Sequence, residues 1–125
     1  GIVSTGYMSA RALDACRATA AEGHDPSVLH LSTIKPFDAA AVLAFARDHE
    51  RLIVAENHKT TGGLTTLVIE ALYEAGLHRP MTRISLADSF FECGSQEYLE
   101  AKYGVDLPAF EAAIRQDAAS AGGAT

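Results

Sequence analysis

Residues 52–64 read LIVAENHKTTGGL. Four apolar residues in a row, with β-branched Ile53 and Val54 at the centre, predict a strand covered on both faces. A strand covered on one face would alternate apolar with polar. Glu56, Asn57 and His58 end the run, Lys59, Thr60 and Thr61 form a polar turn, and Gly62-Gly63 open a helix. Its apolar positions, Leu64, Leu67, Val68, Ala71, Leu72 and Ala75, recur at helical spacing, and Gly76 with Pro80 stops it. Buried strand, polar turn and amphipathic helix are the first part of a βαβ unit. In open α/β sheets, ligands bind at such strand ends.

The flanking chain repeats the pattern. Upstream, residues 2–5 form a short strand ending at Gly6, followed by Met8, Ala12, Cys16 and Ala20 at helical spacing. Gly23 and Pro26 close that helix, residues 28–31 form a second strand, and Asp38 caps a helix with the stripe Val42, Phe45, Ala46 and His49. Downstream, residues 81–86 form a fourth strand. Ser95 caps a short helix closed by Gly104, and Asp106 caps a last one through Leu107, Phe110, Ala113 and Ile114. Residues 1–117 are expected to be one domain and 118–125 a flexible tail. Strands alternating with helices predict a three-layer α/β/α fold with a doubly wound, mainly parallel sheet of order 2-1-3-4. Its switch point, between the first and third strands, would bring Gly6 and residues 56–63 to one crevice.

Composition narrows the function. With 125 residues, 48% of them hydrophobic, the chain can bury one core. A net charge of −6 without basic clusters leaves no electrostatic footprint for nucleic acid. No apolar run is long enough for a membrane span and the first residues lack the basic region of a signal peptide, so a soluble cytoplasmic protein is expected. Cys16 and Cys93 lack the spacing of a zinc or redox motif. One glycine in the first strand-to-helix turn is too few for a dinucleotide fingerprint, and no P-loop occurs.

The strand-end residues admit two readings each. Glu56 and His58 could do acid–base chemistry, yet no nucleophile or metal-ligand set accompanies them, and a carboxylate there equally caps the N–H groups of the following loop, which is the favoured reading. Gly62 and Gly63 could present N–H groups to an anion, or permit a tight turn and close packing; packing is favoured. Asp88, Phe90, Phe91 and Gly94 lie in a second polar loop at a strand end, whose phenylalanines either fold under it or meet another chain. Ile69 and Tyr73 form an apolar stripe offset from the core-facing one, the mark of a helix covered on both sides.

Taken in order, Ser4-Thr5-Gly6, Thr33-Ile34-Lys35-Pro36 with Phe37-Asp38, Val54-Ala55-Glu56-Asn57-His58 with Gly62-Gly63-Leu64, and Asp88-Ser89-Phe90 with Gly94-Ser95 and Lys102-Tyr103-Gly104 closely resemble the C-terminal domain of transketolases. The resemblance covers nearly the whole chain. Transketolases split into two polypeptides are most similar and deoxyxylulose-phosphate synthases are close. The β subunits of 2-oxo acid dehydrogenases, which usually lack the Asn-His pair, rank third. A free-standing flavodoxin-like ligand-binding module is the alternative from another class.

The resemblance implies a role in assembly. Thiamine diphosphate and its Mg ion would be held by other domains of the parent enzyme, which also supply the catalytic residues; none carries over to this chain. Its partners would be those domains or a separate subunit, in a homodimeric enzyme moving two-carbon ketol units between sugar phosphates in the pentose phosphate pathway. Glu56, Asn57, His58, Gly62, Gly63, Ile69, Tyr73, Asp88, Phe90, Phe91 and Gly94 are candidates for loop or interface roles. Family members usually carry an antiparallel edge strand upstream of residues 2–5, for which Gly1 leaves no room, so a fragment or isolated domain is expected.

Overall fold

The computed structural model describes residues 1–122. Among them, strands and helices alternate as β1 (Ile2–Ser4), α1 (Met8–Ala20), β2 (Val28–His30), α2 (Ala39–Arg47), β3 (Leu52–Lys59), α3 (Leu64–Glu74) and β4 (Met81–Leu86). Two helices follow, α4 (Gln96–Tyr103) and α5 (Leu107–Gly122). The sheet is parallel with order β2-β1-β3-β4, as expected. Because β2 lies on one side of β1 and β3 and β4 on the other, crossovers of one hand place α1 on one face and both α2 and α3 on the opposite face.

The side chains follow. Ile2, Ile53, Ala55 and Ile84 pack with α1 and α5 in one core, whereas Val3, Leu52, Val54 and Leu31 pack with α2 and α3 in the other. The unbroken apolar run 52–55 thus alternates between two covered faces. The proposed helix caps form at Asp38, Ser95 and Asp106, whose side chains accept from Ala41 N–H at 2.9 Å, Tyr98 N–H at 3.3 Å and Ala109 N–H at 3.1 Å.

Two local expectations need correction. First, β3 does not end at Ala55 but continues to Lys59. Second, α3 buries Leu64, Thr65, Val68, Ala71 and Leu72, while Leu67 is half-buried and Ala75 exposed. The buried arc is rotated toward Thr65, whose hydroxyl has a partner below the helix. At the other end of the chain, α5 includes residues 118–122 of the segment expected to be a tail. The remainder of that segment, residues 123–125, lies outside the described residues.

Candidate functional site

The β3–β4 pairing is regular from Leu52 opposite Met81 to Ala55 opposite Ile84, then shifts register before Lys59 opposite Leu86. Extra β3 residues between Ala55 and Lys59 form a bulge, but the alternation that puts Leu52 and Val54 on the α2–α3 face and Ile53 and Ala55 on the other continues through Asn57. Glu56 goes to the α3 side of the sheet and Asn57 lines the crevice on the other side.

Glu56 is 1% exposed, and it is fully used. One carboxylate oxygen accepts the Leu64 N–H at 2.6 Å; the other accepts the Thr65 N–H at 2.9 Å and the Thr65 hydroxyl at 2.8 Å. Its negative charge meets the positive end of the α3 dipole and satisfies first-turn donors. An external anion would find those donors taken. Gly62 has φ of 79°, a left-handed turn suited to glycine, and its N–H donates to Thr66 Oγ1 at 3.0 Å. A Cβ on Gly63 would overlap the Glu56 carboxylate and lie 2.9 Å from the Lys59 carbonyl oxygen. The glycine pair therefore permits the close approach that the cap requires.

His58 is exposed, with Nδ1 3.2 Å from the Lys59 carbonyl oxygen. Lys59 reaches across to the β4 loop, donating to Asp88 at 2.9 Å and to the Ser89 carbonyl at 3.0 Å. That ammonium holds the Asp88 carboxyl below its usual pKa by hydrogen bond and charge. The two phenylalanines divide the readings left open for them. Phe91 packs edge-to-face on Tyr103 with centroids 4.5 Å apart, whereas Phe90 stands wholly in solvent. Lys102 pairs with Glu92, so the loop is tied by a lysine on either side of Phe90.

The switch point opens a cavity of about 400 Å³ whose lining includes Tyr7, Asn57, Leu86, Phe91, Leu99 and Tyr103. Gly94 borders it too, and a Cβ there would lie 2.8 Å from the Tyr98 ring. Gly6 has φ of 58°, and a Cβ on it would lie 3.9 Å from Asn57 Oδ1, so the first turn and the β3 end do meet. Ile69 and Tyr73 are elsewhere: both are exposed on α3, beside a shallow depression with Leu72, Leu77 and Met81.

The structure adds a polar cluster at the cavity that no sequence pattern marks as a whole. Glu100, 5% exposed, accepts from Arg11 at 3.0 Å and from Gln96 at 2.6 Å, and the Tyr7 hydroxyl also hydrogen-bonds it. Burial alone would raise the Glu100 carboxyl, but the Gln96 and Tyr7 hydrogen bonds and the Arg11 charge together hold it below its usual value. Burial, and then Glu100, push the Tyr7 phenol up. Tyr7 with Arg11, and Gln96 with Glu100, are each spaced i, i+4, which was readable; that α1 and α4 face each other was not. Nearby, Ser4 Oγ lies 2.8 Å from Ser9 Oγ, which lies 2.6 Å from His30 Nδ1, linking the edge strand β2 to α1.

The family described as transketolase, C-terminal domain, matches residues 1–109. The chain is 38% identical over 117 residues to the transketolase family protein y4mN of Sinorhizobium fredii, covering 92% of this chain and 34% of that protein. It is 38% identical over 105 residues to 1-deoxy-D-xylulose-5-phosphate synthase 1 of Geobacter metallireducens, covering 83% and 17%. The fold matches a structure described as a split gene transketolase, inactive beta4 tetramer, with TM-score 0.81, 32% identity and coverage of 92% and 36%. The chain thus spans about a third of the transketolase proteins it matches and about a sixth of the synthase.

Proposed function

This chain belongs to the transketolase C-terminal domain family, and from that membership we propose that it builds the assembly of a thiamine-diphosphate-dependent enzyme that moves two-carbon ketol units between sugar phosphates. The observation that carries the reading is the commitment of Glu56: the buried carboxylate at the strand end spends both oxygens on capping α3 and keeps none for a substrate. His58 beside it is exposed and pairs only with a neighbouring carbonyl among the described residues.

Carbanion chemistry in such an enzyme comes from the cofactor. The described residues do not fit thiamine diphosphate. A diphosphate needs unengaged donors or cations, but the α3 N–H groups hold Glu56, and Lys59, Lys102 and Arg11 around the crevice are each ion-paired. The cofactor and its Mg ion belong, in this reading, to other domains or a separate subunit of the parent enzyme. Exposed Ile69 and Tyr73 on α3, with Phe90, are the surfaces assigned to those partners and to a homodimer contact. Two free thiols fit a reducing, cytoplasmic setting.

The isolated chain should bind no thiamine diphosphate with Mg in calorimetry and transfer no ketol unit, whereas the assembled enzyme does both. In that enzyme, His58→Ala should lower kcat by less than about tenfold, against the roughly 10² to 10⁴ of a general acid–base residue. A loss on the order of 10³ with the assembly intact would overturn the scaffold role. The 38% identity to a deoxyxylulose-phosphate synthase favours a second reading, in which the parent enzyme forms 1-deoxy-D-xylulose 5-phosphate; product analysis of the assembled enzyme distinguishes the two.

A further inference from the structure

The cavity at the switch point is separate from the α3 stripe of Ile69 and Tyr73 and has the features of a binding site. It lies outside the carboxyl ends of β1 and β3, where the chain turns away in opposite directions and leaves a crevice. Its volume of about 400 Å³ falls in the roughly 300 to 1,000 Å³ range of small-molecule sites. The wall is largely apolar and aromatic, from Leu86, Leu99 and Val105 to the Phe91–Tyr103 pair.

Its polar groups narrow the ligand. Among the described residues Glu100 is the one carboxylate in the lining, and Arg11, Gln96 and Tyr7 already satisfy it, so these residues neither call for a cation nor offer a free cation to a phosphate. Asn57 differs from these. Its side-chain amide has no hydrogen-bond partner among the described residues, and its oxygen lies over the Gly6 turn at the cavity edge. A primary amide offers an acceptor and two donors side by side, which pair with the adjacent donor and acceptor on the edge of an aminopurine. Aromatic walls bind such a ring by its face, whatever its sequence context.

We propose that this cavity binds an uncharged aminopurine, as the free base or its nucleoside, with the ring against the Phe91–Tyr103 wall and its polar edge paired with the Asn57 amide. The inference is independent of ketol transfer, because neither the site nor its readout involves the sugar phosphates or thiamine diphosphate.

Saturation-transfer NMR and calorimetry on the chain, with adenine, adenosine and AMP at millimolar concentration, test it. Adenine and adenosine should both bind, and AMP no more tightly than adenosine, since no unpaired cation lines the site among the described residues. Asn57→Ala, at an exposed position that leaves the melting temperature unchanged, should weaken adenosine binding about 5- to 150-fold, the range of one bidentate base contact. Leu99→Phe, which fills the cavity, should abolish it. Absence of saturation transfer from both adenine and adenosine overturns the proposal. So does adenosine binding that Asn57→Ala leaves undiminished, and so does a preference for AMP of tenfold or more, which would point to a phosphate site.

Discussion

Replacing Glu56 by glutamine keeps the side chain's shape but turns one of two acceptors into a donor facing the α3 N–H groups. A buried donor left facing donors costs about 1–3 kcal/mol, so Glu56→Gln should lower the unfolding free energy by that amount, read as a lower urea midpoint with an unchanged slope. An unchanged midpoint would remove the cap from the account. Glu100 is a second buried carboxylate with a different signature. Its native pKa lies below the usual 4.5, so its stabilisation is fully present above that value and is lost as the pH falls through the native pKa. Glu100→Gln should therefore flatten the acid limb of the stability profile below pH about 4.5, while near neutrality it removes the Arg11 ion pair and lowers stability. Denaturant titrations across the acid range check this. The Glu56 cap was legible in the sequence, because a carboxylate before Gly62-Gly63 and an apolar helix start has few other duties. The Glu100 cluster was not, because its members come from α1 and α4, far apart in the chain.

The elements follow their sequence periods wherever one face is covered by one neighbour. In β3 the residues 52–55 read as a strand buried on both sides and are so. Past Ala55 the polar residues read as a turn, because the strand stays in the ladder beyond the end of the apolar run on which a sequence reading depends. In α3 the stripe was right in kind but rotated. Thr65, polar and therefore passed over, is buried because its hydroxyl donates to Glu56, and Leu67 is turned to the flank. Leu72→Ala should thus cost about 2–5 kcal/mol, whereas Leu67→Ala should cost distinctly less, about 1 kcal/mol, since part of that side chain is already in water. Equal losses in chemical denaturation would mean that the helix is seated in the phase that its apolar stripe alone predicts.

For the whole molecule, the exposed stripe of α3 bears on association rather than on folding. Tyr73 is 79% exposed, so Tyr73→Glu should leave the stability of the chain within about 0.5 kcal/mol. It should weaken association in the assembled enzyme by placing a charge in a contact that must be desolvated. Sedimentation showing the same dissociation constant for both proteins would remove this surface from the interface. Sheet order, parallel strands and the two covered faces were all written in local patterns. Buried strands joined by amphipathic helices have few allowed connections, and handedness selects among them. What only the tertiary structure decided is how side chains from distant elements share a space. The meeting of Gly6 with Asn57 belongs to this class, as do the closure of Glu100 by Arg11 and Gln96 and the separation of Phe90 from Phe91. A period along one chain segment reports which face is covered; it carries no information about which residue of another segment arrives there.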